Sequence, residues 1–212
     1  MTEDDLLGDK GQAFPIYIVV VAGLLFAALA FFVVGMAGAT RSNAQGAADA
    51  AALAAAREAR DNMFLGLDLL ALKPADWEEI VNGDLLDGAG ACGAAAEFAE
   101  LNNATADCRS ATPEFTVTVK TNDTVGKSVI PASGDMQGKA TAKARIEPRC
   151  SLRSAPTAAP TPTPTSTPSP SPTPSAGTVT FECSGKALSL DPAKPGPLSQ
   201  LARALFTVRL VD

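Results

Sequence analysis

Residues 35–60 read GMAGATRSNAQGAADAAALAAAREAR, and they follow a long apolar run without a break. Nothing in the stretch ends a helix: it has no proline, and its glycines are spaced among strong helix formers. The helix that leaves the apolar run therefore continues, lined almost entirely by the smallest side chains. Reading every fourth residue from Gly38 gives Gly38, Ser42, Gly46, Ala50 and Ala54, and a neighbouring row carries Gly35, Ala39, Asn43, Ala47, Ala51, Ala55 and Ala59. Rows at i, i+4 lie along one side of a helix, so these two stripes predict a shallow groove that another helix can approach closely. Alanine is the best helix former and composition alone can supply it, whereas the glycines at 35, 38 and 46 weaken a helix and need a packing reason. Arg41, Gln45, Asp49 and Arg57 lie on a separate row, interrupted by Leu53.

Upstream, no residue from Gly11 to Thr40 is charged. As a helix the core of that run, residues 13–39, spans about 40 Å, more than the roughly 30 Å hydrocarbon core of a bilayer. A secretory signal has a basic leader and an apolar core about 7–15 residues long. Here the leader MTEDDLLGDK is acidic and the apolar run is far longer, which favours a retained membrane span starting near Pro15. One helix is expected from about Phe14 to about Asn62, a rod of roughly 70 Å.

The chain of 212 residues has a net charge of −6, four cysteines and no histidine. Without histidine there is no Ser-His-Asp triad and no histidine-based metal centre, and no Gly-rich phosphate loop follows a strand. Asp84 and Asp87 read as turn residues, because the calcium-loop spacing is not met. Acidic balance and a single tryptophan supply no basic, aromatic-lined nucleic-acid surface. The expectation is a protein without catalytic residues, cofactor, metal, nucleic-acid partner or small-molecule substrate. Asn103 and Asn122 begin glycosylation sequons of a kind that short matches often produce by chance.

Beyond the rod, the segment around Pro74 reads as a short helix ended by Asn82-Gly83, and ACGAAAEFAELNN reads as a second. EFTVTVKT, GKATAKARIEPRC, GTVTFECSG and LFTVRLVD alternate as half-buried strands do, predicting four strands of one small antiparallel sheet. Between the second and third strands lies a Pro/Thr/Ser tract that holds half of the chain's prolines and no charge, read as an extended insertion. The fold class is α+β, organised as an acidic leader (1–12), a transmembrane helix (13–39), a helical extension (40–62), an exterior domain (63–153), the insertion (154–177) and C-terminal strands (178–212).

All four cysteines (Cys92, Cys108, Cys150 and Cys183) lie beyond the span, and four cysteines allow three pairings. If the strands ending at Cys150 and Cys183 are neighbours, a bond between them staples the sheet beneath the insertion, and Cys92–Cys108 closes the helical segment. Such loops are worth about 3–4 kcal/mol each in the chain-entropy model. The positive-inside rule, counted on Lys10 against Arg41, Arg57 and Arg60, puts the C-terminal part in the cytoplasm. Paired cysteines and the Pro/Thr/Ser tract argue for the outside, and they outweigh a few charges on a long translocated domain.

Residues 8–61 resemble the N-terminal region of TadE/TadG-like proteins of the tight-adherence (Tad, or Flp) pilus system. The features that carry the resemblance are GQA before the span, an arginine after it and the run QGAADAAALAAA. TVTVKT and KATAKARIEPRC are similar to outer strands of actinobacterial TadG-like members. The resemblance implies a minor, pilin-like membrane protein, N-terminus inside and globular part outside, acting structurally in pilus assembly or anchoring. Its implied partners are the lipid bilayer and other Tad assembly proteins or pilins, through helix packing at Gly35, Gly38, Ala39, Ser42, Gly46, Ala47, Ala50 and Ala54. The glutamate that prepilin processing expects five residues after a glycine is absent: those positions are Ala13 after Gly8 and Ile16 after Gly11. The alternative is a surface binding module in which the helix only anchors, to be distinguished by exchanging residues 13–62 for an unrelated helix. Non-reducing peptide mapping of the exported protein is expected to recover Cys92–Cys108 and Cys150–Cys183 crosslinks. Four free thiols there would overturn both the pairing and the exterior placement.

Overall fold

Helix α1 (Ala13–Asp61) runs unbroken through the apolar run and the alanine-rich residues that follow it. The structure is a computed structural model that describes residues 13–124, 135–155 and 177–212; the acidic leader and the Pro/Thr/Ser tract from 156 to 176 lie outside the described residues. Up to Ala39 the helix is almost wholly exposed, and its apolar window is long enough to cross a membrane. From Ala44 onward one face is buried: Ala44, Ala47, Ala48, Ala51, Ala52, Ala55, Ala56 and Ala59 recur at the three- and four-residue spacing of a helix face.

That face packs on the inner side of a four-stranded antiparallel sheet and on helix α3 (Ala91–Leu101). The sheet has the order β1-β2-β3-β7, formed by β1 (Ala104–Ala111), β2 (Glu114–Thr124), β3 (Gln137–Pro148) and β7 (Phe206–Val211). Phe115, Val117 and Val119 of β2 and Ala142, Ala144 and Ile146 of β3 point inward at the alternating positions the sequence predicts. The outer face is polar. Thr118 and Thr141 share a hydrogen bond of 2.9 Å between their hydroxyls, and Arg145 pairs with Glu114 at 2.9 Å.

The expected single sheet of four strands is corrected to seven strands in two sheets among the described residues. The second sheet has the order β4-β5-β6, from β4 (Cys150–Ser154), β5 (Val179–Cys183) and β6 (Lys186–Leu190). KATAKARIEPRC is not one strand. Pro148 has no N–H to donate, and the Arg149 N–H turns to the Leu205 carbonyl at 2.9 Å, so the chain leaves the first sheet there. Cys150 therefore opens β4 instead of closing β3. The β5–β6 hairpin turns at Ser184 (φ 50°) and Gly185 (φ 80°), a left-handed pair suited to a tight hairpin.

Helix α2 (Pro74–Asn82) starts at its proline and ends on Gly83 at φ 85°, as expected. It buries Trp77 completely, edge-on to Phe181 of β5 with ring centroids 6.0 Å apart, which fastens the second sheet to the helical layer. Helix α4 (Leu198–Leu205), absent from the sequence reading, buries Leu201, Ala202 and Leu205 and packs on α1.

The disulfides join Cys92 to Cys108 and Cys150 to Cys183. Cys150 and Cys183 are directly opposite in the β4–β5 register. The other bond does not close a helical segment, because Cys108 lies in β1; it ties helix α3 to the edge strand of the first sheet.

Helix and sheet approach closely at Gly138 on β3. A Cβ there would sit 2.6 Å from the Thr40 carbonyl oxygen and 3.0 Å from the Ala44 Cβ. The Thr40 obstacle is backbone, so the strand or the helix has to shift. Gly138→Ala is expected to destabilise the domain by about 1–3 kcal/mol, the usual cost of overpacking. Gly46→Ala, where a Cβ meets nothing within 4 Å, is expected to stabilise by about 0.5–1 kcal/mol. Thermal or urea denaturation of both variants checks the pair of signs.

Candidate interaction surface along the helix and at its exit from the domain

The small residues of α1 divide into two groups by what surrounds them. Ala47 and Ala54 are buried against the chain's own sheet and α3, and Ala50 is half-buried at the edge of that seam. Gly35, Gly38, Ala39, Ser42 and Gly46 are exposed, and a Cβ added at Gly35, Gly38 or Gly46 would enter open space. The i, i+4 rows therefore pass from a free face into an intramolecular one. Sequence reasoning assigned the whole set to partner packing because the rows run continuously; the sheet that covers their C-terminal ends is assembled from residues more than 50 positions away.

Where the helix enters the domain, an open cleft of about 550 Å³ lies between it and the end of the sheet. Its helix side carries Met36, Ala39, Ser42 and Gly46, and its far side Asn103 and Asp123. The far side is made by a register shift in β2 between Lys120 and Thr124 opposite β3. Buried Thr121 organises it: its hydroxyl accepts the Gly138 N–H at 2.9 Å and donates to the Asp123 carbonyl at 2.8 Å. Asn103 sits at φ 53°, donates from its side-chain amide to the Asp123 carboxylate, and accepts the Asn122 N–H on its carbonyl at 2.8 Å. The two sequon asparagines are thus adjacent and exposed on this rim.

On the helix itself the Thr40 hydroxyl donates to the Met36 carbonyl at 3.1 Å, which satisfies the first polar side chain after the apolar run. In the polar row, Gln45 donates to the Asp49 carboxylate at 2.8 Å. Among the described residues no group of His, Cys, Asp and Glu is placed to hold a metal ion.

At its other end α1 is clamped. Asp61 accepts hydrogen bonds from Arg60 at 2.9 Å and from Arg203 of α4 at 2.6 Å. Partial burial raises its pKa, but the bonds and charges of Arg203 and Arg60 outweigh that effect and hold the carboxyl below its ordinary value.

A family model described as putative Flp pilus-assembly TadE/G-like matches residues 11–58. The match takes in the apolar segment and nearly all of the alanine face, and it stops before the sheets. It supports a component associated with a Tad pilus. No curated protein and no solved structure matches the chain.

A carboxyl depressed in the folded state stabilises above its unfolded pKa of about 4, and that contribution fades as pH falls through the lower folded value. The difference in melting temperature between the native chain and Asp61→Asn is expected to be largest above about pH 5 and to shrink below about pH 4. A difference independent of pH across a denaturation series would contradict the clamp.

Proposed function

We propose that this chain is a membrane-anchored, pilin-like component of a Tad (Flp) pilus system, of the actinobacterial TadG-like type, that acts structurally in pilus assembly or anchoring. Its N-terminus lies in the cytoplasm and its disulfide-bonded domain outside. The observation that carries the reading is the continuity of α1: the same helix supplies an apolar, exposed span up to Ala39 and the buried core face of the domain from Ala44. The family match covers both parts. Two disulfides support the exterior placement, because such bonds persist in oxidising compartments. In the bilayer the free face at Gly35, Gly38 and Ala39 suits a partner helix, since small side chains let helix backbones approach closely where hydrophobicity no longer drives association. Ser42 and Gly46 extend that face just above the membrane.

Because residues 44–59 are core, exchanging 13–62 for another helix destroys the domain and distinguishes nothing. Two narrower changes do. Leucine at both Gly38 and Gly46 is expected to leave the domain's melting temperature unlowered, since a side chain at Gly46 enters open space and favours the helix, and to reduce co-purification of Tad components severalfold. Undiminished co-purification would sink the packing role. Exchange of residues 13–39 alone for an unrelated apolar helix is expected to abolish pilus assembly with the domain intact; assembly that survives the exchange favours a surface binding module.

A further inference from the structure

The apolar run and the domain meet with no spacer between them. The run ends at Ala39, and the domain's contact with the helix begins at Thr40, against Gly138. β3 leads away from that point toward the far end of α1, where Arg149 bonds Leu205 of α4 and α4's Arg203 bonds Asp61. Met136, two residues before Gly138, therefore projects the opposite way, to the level of the last apolar turns of α1. The end of β2 lies there too: Thr124 pairs with Gln137 in register, and Asp123 and Thr124 line the cleft with Met36 and Ala39. Helix α3 descends antiparallel to α1, from Gly90 beside Glu58 to Asn103 at the same cleft. It leaves Leu101 exposed about a turn above the rim. Met136 is 60% and Leu101 73% exposed, much as Leu70 and Leu65 are far from the span, so their position at this rim is what singles them out.

We infer that this rim is a second membrane contact: the domain sits directly on the bilayer, with Met136 and then Leu101 in the headgroup layer beside the span. The inference rests on α1 crossing the bilayer. The occupant follows from continuity, since any membrane that covers the helix to Ala39 reaches the level of Met136. The rim's charges set its depth. Arg41 and Lys139 face anionic headgroups well, whereas Asp123, Asp135, Glu97 and Glu100 exclude the rim from hydrocarbon. Asp123 already receives the Asn103 amide. The seat is consequently shallow, and it holds the domain upright where the span alone would leave it free to tilt.

The test places one added tryptophan at a time in the full chain, reconstituted in phosphatidylcholine vesicles whose acyl chains are brominated at shallow or deep positions. The sites are Leu25, Met136, Leu101 and the distal exposed Leu65, each measured against the unmodified chain, in which buried Trp77 is the reference. Deep bromines are expected to quench Leu25→Trp; shallow bromines are expected to quench Met136→Trp most and Leu101→Trp less, both with blue-shifted emission. Leu65→Trp stays unquenched. If Leu25→Trp is quenched while Met136→Trp and Leu101→Trp match Leu65→Trp, the seat is overturned and the anchor stands. An unquenched Leu25→Trp removes the anchor itself. A blue shift at Met136 or Leu101 without quenching, growing with the protein-to-lipid ratio, would assign the rim to a second copy and also overturn the seat.

Discussion

The seam between the alanine face of α1 and the inner face of the first sheet is the contact on which the rest of the molecule depends. Sheet, α3 and α4 all pack on that one helix, and both ends of the seam are pinned, at Gly138 against Thr40 and at Arg203 on Asp61. Small side chains on both surfaces set the separation. Alanines on the helix meet Ala142, Ala144 and Gly138 on β3, so the backbones run close together and little space remains for anything larger.

This arrangement makes the apolar segment and the core face parts of one continuous helix. A domain attached to a membrane by a flexible linker can turn independently of its span. Here the helix would have to break, or the core to open, before the domain could move relative to residues 13–39. A displacement of residues 13–39 would therefore be passed directly to the sheets. The two disulfides act away from that axis. One ties α3 to the edge strand β1, and the other locks β4 to β5 at the end opposite Ser154 and Val179, between which the Pro/Thr/Ser tract is inserted. Trp77 against Phe181 then holds the small second sheet to the helical layer, with the indole N–H buried and without an acceptor among the described residues.

Residues with strong local signals were read correctly from the chain alone. The unbroken α1, Pro74 and Gly83 bounding α2, and the alternation of Phe115, Val117 and Val119 each reflect a constraint carried by neighbouring residues. Elements without such a signal were missed. ATADCRSA has little β-branched character and becomes β1 because the hairpin partner and the Cys92 bond hold it on the sheet edge. β6 carried a signal in Ser184-Gly185 that the reading passed over, and α4 is too short for its three buried positions to stand out.

The helix shows the division most plainly. Its length, apolar span, small-residue rows and continuity are local properties, so the order of residues 13–61 was sufficient to establish them. Which small residues stay free and which become core depends on β2, β3 and α3, brought to the helix from far along the chain. Helical periodicity says that Gly46 and Ala54 share a side, but it does not say where on that side a sheet arrives. That point is set by Gly138, where the absence of a side chain lets β3 meet the Thr40 backbone, leaving Gly46 open and Ala54 buried.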